Sequence, residues 1–196
     1  MRSLTTADFI TLVNAVSGVC SVFSCLEFGI SRRVGYLWLA IGLIVLAALA
    51  DFFDGRVARR SRRMSSLGGD LDSLADLISF GVAPATLAFA VGLNGGWDWI
   101  ALAYFVCCGL SRLARYNVTA GSLSDASGKV AYFEGTPIPT SLLLVLGVAV
   151  LVAAGRIHEH LPFGVWRGAG EFHPLVLAYL VSGSAMISAR LRVPKP

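Results

Sequence analysis

Apolar residues fall in six runs, at about 9–29, 35–53, 74–93, 97–114, 138–154 and 174–189, with shorter polar segments between them. None shows a coherent period-two alternation, so strands are not expected. A chain that buries this much oil in separate stretches of about 20 residues predicts membrane-crossing helices. The expected fold is an all-α integral membrane protein, a bundle of six transmembrane helices. Several runs fall short of about 20 residues, so their helices must extend into polar flanks. Residues 51–60 would carry the second helix beyond the lipid. Asn94-Gly95-Gly96 reads as a tight turn, 119–129 as a polar loop, and 134–140 as the lead into the fifth helix. Pro84 falls inside the third run, where it should bend the helix. Pro162 and Gly164 fall in the last outer loop. No internal repeat of about 20–50 residues is visible, and residues 1–196 read as a single membrane-embedded domain.

Composition sharpens this picture. The chain is 56% hydrophobic and 14% charged, against about 25% charged in ordinary soluble domains. Its net charge of +4 does not need a nucleic-acid partner, because basic cytoplasmic loops give the same excess. If the termini and segments 54–73, 115–137 and 190–196 share one side, that side holds twelve of the 16 Lys and Arg residues. The other side holds Arg32, Arg33, Arg156 and Arg167. The positive-inside rule then places the 54–73 segment in the cytoplasm. A multi-pass protein of a bacterial or archaeal cell membrane, or of the endoplasmic reticulum, is expected. The first run continues into further spans and does not read as a cleavable signal. Cys20, Cys25, Cys107 and Cys108 sit in apolar surroundings and read as small buried side chains.

The charge that remains is concentrated. The stretch 51-DFFDGRVARRSRRMSSLGGDLDSLAD-76 carries five of the 12 acidic residues. Asp51 and Asp54 are three apart at one helix end, and Asp72 and Asp76 are four apart at the start of the next, so each pair shares a face. An antiparallel hairpin would bring the four carboxylates together, where they repel unless cations lie between them. Oxygen-only ligands suit Mg²⁺ or Mn²⁺, with Ca²⁺ a further candidate, and two such ions can clamp a phosphate. Gly55, Ala58, Gly68 and Gly69 leave room for a ligand near the backbone, and the Arg59 fork fits phosphate oxygens. Solvated loop aspartates are the plain alternative, but carboxylates at apolar helix ends are costly and usually functional. An ion pathway is the rival from another class; it would spread the acids across the membrane depth.

The spacing D51-x2-D54-G55-x2-A58-R59-x8-G68-x3-D72-x3-D76 resembles the complete signature of the CDP-alcohol phosphotransferases. That resemblance implies a six-helix membrane enzyme, usually homodimeric, that displaces CMP from a CDP-linked alcohol with the hydroxyl of a second alcohol. It implies that Asp51, Asp54, Asp72 and Asp76 hold metal, that Asp76 is also the general base, and that Gly55, Ala58, Arg59 and Gly68 contact the CDP group. Asp70 falls outside the pattern and is expected to be solvated or capping.

The segments 72-DSLADLISFGVAPA-85, 111-SRLARYNVT-119 and 132-YFEGTPIPTS-141 resemble the phosphatidylserine synthase branch. The implied partners are CDP-diacylglycerol, or an ether-linked archaeal CDP-lipid, and L-serine, in a lipid surrounding. Arg112 and Arg115, three apart on one face, with Tyr116 and Asn117, are assigned by this resemblance to the serine pocket. Lipid-headgroup anchoring is the alternative for the arginines. Glu134 is a candidate for the serine ammonium. Acceptors such as glycerol 3-phosphate or inositol phosphate are not excluded by Arg112 and Arg115. Asn14 and Ser17 in the first helix either line the nucleotide site or bond between helices. His158, His160 and His173 are expected to be ordinary outer-loop residues.

Overall fold

A computed structural model describes residues 6–61, 66–120, 132–168, 170–188 and 192–194. Helix α1 spans Thr6–Ser31 and α2 spans Gly35–Ser61, joined as an antiparallel hairpin. Helix α3, Ser66–Asp76, runs through a π-helical segment, Leu77–Val82, into α4, Ala83–Val91. Helix α5 is Gly96–Ala120, α6 is Leu142–Ala153 and α7 is Leu177–Ile187. The stretches Asp8–Ser31, Gly35–Phe53 and Gly68–Val91 are long and apolar enough to cross a membrane. Ile138–Ala153 and Pro174–Ile187 are shorter apolar helices, each opened by a 3-10 turn. The fold is an all-α membrane bundle.

The inner face of α1 shows what solvent this fold was built for. Its buried positions include Asp8, Thr11, Asn14, Ser17, Ser21 and Ser24, spaced by three or four residues, with Gly18, Cys25 and Phe28 beside them. Its exposed positions include Phe9, Val13, Val16, Phe23 and Ile30. A helix on a water-soluble protein has the opposite arrangement. In lipid, apolar side chains are at home on the outside, and polar ones gain by bonding inside the bundle. Ser21 Oγ does so, donating to the Ala40 carbonyl of α2 at 3.0 Å. Small side chains set the spacing elsewhere: a Cβ on Gly18 would collide with Ser79 and Ile78, so only glycine lets α1 approach the π segment this closely.

The second helix continues to Ser61, as the run of polar residues predicts. The third differs from expectation at both ends of its aspartate pair. Asp72 and Asp76 do not open the helix, which begins at Ser66, and Asp76 is instead the last residue before the π turn. Just before Pro84, the site of the expected bend, the helix widens into that π turn. Proline has no N–H for the carbonyl four residues back, and upstream the Ala83 N–H reaches five residues back to Ile78 O.

Two short antiparallel pairs lie outside the apolar runs, where no strand was expected. β1 (Tyr132–Glu134) pairs with β4 (Arg192–Pro194), and β2 (Trp166–Arg167) with β3 (Glu171–Phe172). After β1, Gly135 takes φ +76° beside the Met186 carbonyl, where a side chain would not fit. This close approach and the Thr136 N–H to Ala185 O bond (3.2 Å) seat segment 135–141 on the end of α7. From there Ile138 packs with Phe80, Leu113 and Met186 in the core.

At the opposite end, His173 is not the ordinary loop residue expected. It is 5% exposed and its Nδ1 lies 2.5 Å from Oδ2 of Asp98, which is fully buried. Asp98 also accepts the backbone N–H groups of His173 and Gly95. One carboxylate thus ties the loop that ends at His173 to the start of α5. His158 meets the expectation better: its Nε2 lies 3.0 Å from Arg32 Nη1, and its ring stacks on Phe28. Burial and the charge of Arg32 lower its pKa, which keeps Nε2 available as an acceptor. Removing one partner of a buried pair costs about 3 kcal/mol or more. Asp98→Ala is therefore expected to lower stability by about 3 kcal/mol, measured by SDS titration of the detergent-solubilised protein. No loss would mean that the pair is not a structural anchor.

Candidate active site

Three carboxylates meet where α2 leaves the apolar region and α3 enters it. One oxygen each from Asp51, Asp72 and Asp76 lies within 4.8 Å of the other two. Helical geometry explains the convergence. Asp72 and Asp76, four apart, face the same way along α3, and Asp51 comes from α2. Asp76 is only 8% exposed. Three anions this close, in partly buried positions, form a site of strongly negative potential. Hard divalent cations suit such a donor set, and the three residues fit one by number, chemistry and spacing.

The first helix supplies an unexpected neighbour. Asn14, fully buried, donates from Nδ2 to Asp76 Oδ1 at 3.2 Å. Its backbone carbonyl accepts from Ser79 Oγ at 3.0 Å, which pins α1 to the π segment. Ser17 does not join them; it donates to Val13 O within its own helix.

The fifth helix lines another side. Arg112 is half-buried, within electrostatic reach of Asp76, Arg115 and Tyr116. Its Nε is a buried donor with no hydrogen-bond partner among the described residues. Arg115 shares its face but reaches toward α7, donating from Nη1 to Ile187 O at 3.4 Å. Tyr116 and Asn117 are exposed. Asn117 bonds to α3 on the side away from the cluster: its Oδ1 accepts from Ser73 Oγ (3.1 Å), and its Nδ2 donates to Asp70 Oδ1 (3.4 Å). This gives Asp70 a place, as an exposed tie between α3 and α5. The spacing of Asp70 and Ser73, three apart, is the signal that marks their shared face.

Gly55 and Gly68 are half-buried near the helix ends that carry the cluster. The side chains of Asp54, Ala58, Arg59 and Glu134 lie outside the described residues. Arg56 is stacked over the Phe52 ring at 4.1 Å, which suits a charge held at the lipid surface. Two further buried hydroxyl oxygens, Thr136 Oγ1 and Ser141 Oγ, have no partner among the described residues. Their segment, 136–141, rests on the π turn and on α5.

A family model described as CDP-alcohol phosphatidyltransferase matches residues 4–181. The chain is 49% identical over 200 residues to the CDP-diacylglycerol–serine O-phosphatidyltransferase of Saccharomyces cerevisiae, an alignment covering all of this chain and 72% of that protein. A protein of the same description from Methanocaldococcus jannaschii is 32% identical over 158 residues, 81% of this chain and 67% of the relative. The archaetidylserine synthase of Methanothermobacter thermautotrophicus is 36% identical over 141 residues, 70% of this chain and 54% of the relative.

Proposed function

The chain belongs to the CDP-alcohol phosphatidyltransferase family, and from that premise we propose that it transfers a phosphatidyl group from CDP-diacylglycerol to the hydroxyl of L-serine, releasing CMP. The observation that carries the reading is the meeting of Asp51, Asp72 and Asp76 oxygens within 4.8 Å, at the spacing of the family signature. The relatives' descriptions support serine as the acceptor. The archaeal relative supports the same headgroup chemistry on an archaetidyl lipid.

The residues divide into roles. Asp51, Asp72 and Asp76, with Asp54 by its place in the signature, would hold Mg²⁺ or Mn²⁺ ions, two in number. Bound there, the metal would offset the charge of the pyrophosphate and of the departing CMP. Gly55, Ala58, Arg59 and Gly68 would cradle the CDP group. Asp76 takes the proton of the serine hydroxyl, since an alcohol is a poor nucleophile until a nearby carboxylate accepts that proton. The serine oxygen then bonds to the β-phosphorus, the bond from that phosphorus to CMP breaks, and CMP leaves with the electron pair. Arg112 and Arg115 would hold the serine carboxylate, with Tyr116 at the rim of the pocket and Asn117, tied to Ser73 and Asp70, steadying α3 against α5 beside it. The Nε of Arg112, without a hydrogen-bond partner among the described residues, supports its share of this task.

The distribution of basic residues supports a multi-pass topology with this site facing the cytoplasm. There a lipid substrate and a water-soluble one can meet. The whole chain acts as one membrane-embedded domain, and the family resemblance supports a homodimer.

The test is purified protein with CDP-diacylglycerol, Mn²⁺ and one acceptor per reaction. CMP release is expected with L-serine and at background rate with glycerol 3-phosphate or inositol phosphate. Release with glycerol 3-phosphate and none with serine would contradict the acceptor assignment.

A further inference from the structure

Asn14 lies 62 residues from Asp76 in the chain, on a helix that contributes none of the acidic cluster. Its carboxamide is nevertheless directed at the one carboxylate that the proposed reaction uses as a base. We propose that Asn14 is a positioning residue for Asp76, holding the carboxylate plane in the orientation from which it meets the acceptor hydroxyl. The proposal rests on the reading of Asp76 as the base.

Three observations carry it. The first is the hydrogen bond: Nδ2 donates to Asp76 Oδ1 at 3.2 Å inside a wholly buried contact. A carboxylate otherwise turns about its terminal torsion, which is broad for aspartate. A donor at one oxygen narrows that freedom. The second is how firmly Asn14 is itself held. Ser79 Oγ bonds to its backbone carbonyl, and Gly18, one turn along α1, lets the helix lie directly against Ser79. Ser79 belongs to the π turn that begins one residue after Asp76, so base and carboxamide are referenced to the same turn. Widened turns of this kind recur at functional sites.

The third observation separates this role from simple helix packing. Asn14 Oδ1 is buried and has no hydrogen-bond partner among the described residues. Leaving a buried amide acceptor unmet is destabilising. A residue whose only duty was to tie α1 to the bundle would be better replaced by one without the idle acceptor. An acceptor beside the base is suited to a donor that arrives with the substrate, and the hydroxyl and ammonium of serine are both donors.

The experiment compares Asn14→Leu and Asn14→Ala with Ser79→Ala and Asp76→Asn, each purified in detergent. Ser79→Ala removes the other bond between α1 and the π turn but leaves the Asn14–Asp76 contact. Both kcat and KM are measured for serine and for CDP-diacylglycerol, together with the thermal shift produced by CDP with Mn²⁺. The Asn14 variants are expected to lose about 100-fold in kcat, the size of effect that misplacing a reacting group produces. Their KM for CDP-diacylglycerol and their nucleotide-induced shift should stay near wild type. Ser79→Ala, which loosens the backbone behind Asn14 but leaves the carboxamide on Asp76, should lose stability and less than about tenfold in kcat, well short of the loss in the Asn14 variants. Wild-type kcat in either Asn14 variant, beside an inactive Asp76→Asn, overturns the positioning role alone. Loss of the nucleotide-induced shift along with kcat also overturns it, because Asn14 would then serve the CDP site. A fully active Asp76→Asn removes the base reading and this proposal with it.

Discussion

Asp76→Asn is expected to bind CDP in the presence of Mn²⁺ and to lose turnover by about 10³-fold. The substitution keeps shape and one oxygen while removing the group that takes a proton. Three features single out Asp76 from its neighbours. It is the most buried of the three clustered acids, it accepts from Asn14, and Arg112 lies within electrostatic reach of it. Nucleotide binding should survive because Asp51 and Asp72 remain. Isothermal titration with CDP and a continuous CMP-release assay, run on one preparation, separate the two effects. An active Asp76→Asn would show that another group takes the serine proton.

The second large effect concerns the metal. Asp72→Asn and Asp51→Asn are each expected to lower turnover at least about 100-fold and to remove the thermal stabilisation that Mn²⁺ gives the wild-type protein. The sign in the metal-free protein is more telling. Three carboxylates within 4.8 Å repel one another when no cation lies between them. Taking one charge away should therefore leave the metal-free protein as stable as wild type, or more so. EDTA should abolish wild-type turnover, and added Mn²⁺ should restore it. If Asp72→Asn instead destabilises the EDTA-treated protein and responds to Mn²⁺ as wild type does, the cluster is a structural network and not a metal site.

Much of this site was legible in the chain because its logic is local. The four-residue step from Asp72 to Asp76 sets a shared helix face, and a hairpin brings Asp51 to it. What could not be read were the contacts made across the bundle. Nothing near Asn14 announces that its partner lies 62 residues away, and the His173–Asp98 pair spans 75 residues. Pro84 marks a disturbed helix, but not that a π turn lies directly after Asp76. Asp70 lacked a role until α5 brought Asn117 beside it. The polar stripe on α1, spaced by threes and fours, is a pattern the chain carries openly. It reads as a buried face only when the surroundings are taken to be lipid.

Toward the C-terminus the runs at 138–154 and 174–189 match helices Ile138–Ala153 and Pro174–Ile187 in extent, but not in being α-helical throughout. The last two runs fold as helices of 12 and 11 residues, each preceded by a 3-10 turn. Proline marks both starts: Pro137 is an N-cap, and Pro139 and Pro174 fall in the first turn, where a missing N–H costs no intrahelical bond.

The central claim is that the acidic cluster moves a phosphatidyl group onto serine. Its most direct measurement supplies purified protein with CDP-diacylglycerol, Mn²⁺ and isotopically labelled L-serine, and follows labelled lipid and CMP together. Phosphatidylserine and CMP are expected to appear in equal amounts, with both absent from Asp76→Asn. CMP formed without labelled lipid, or labelled lipid formed at the wild-type rate by Asp76→Asn, would contradict it.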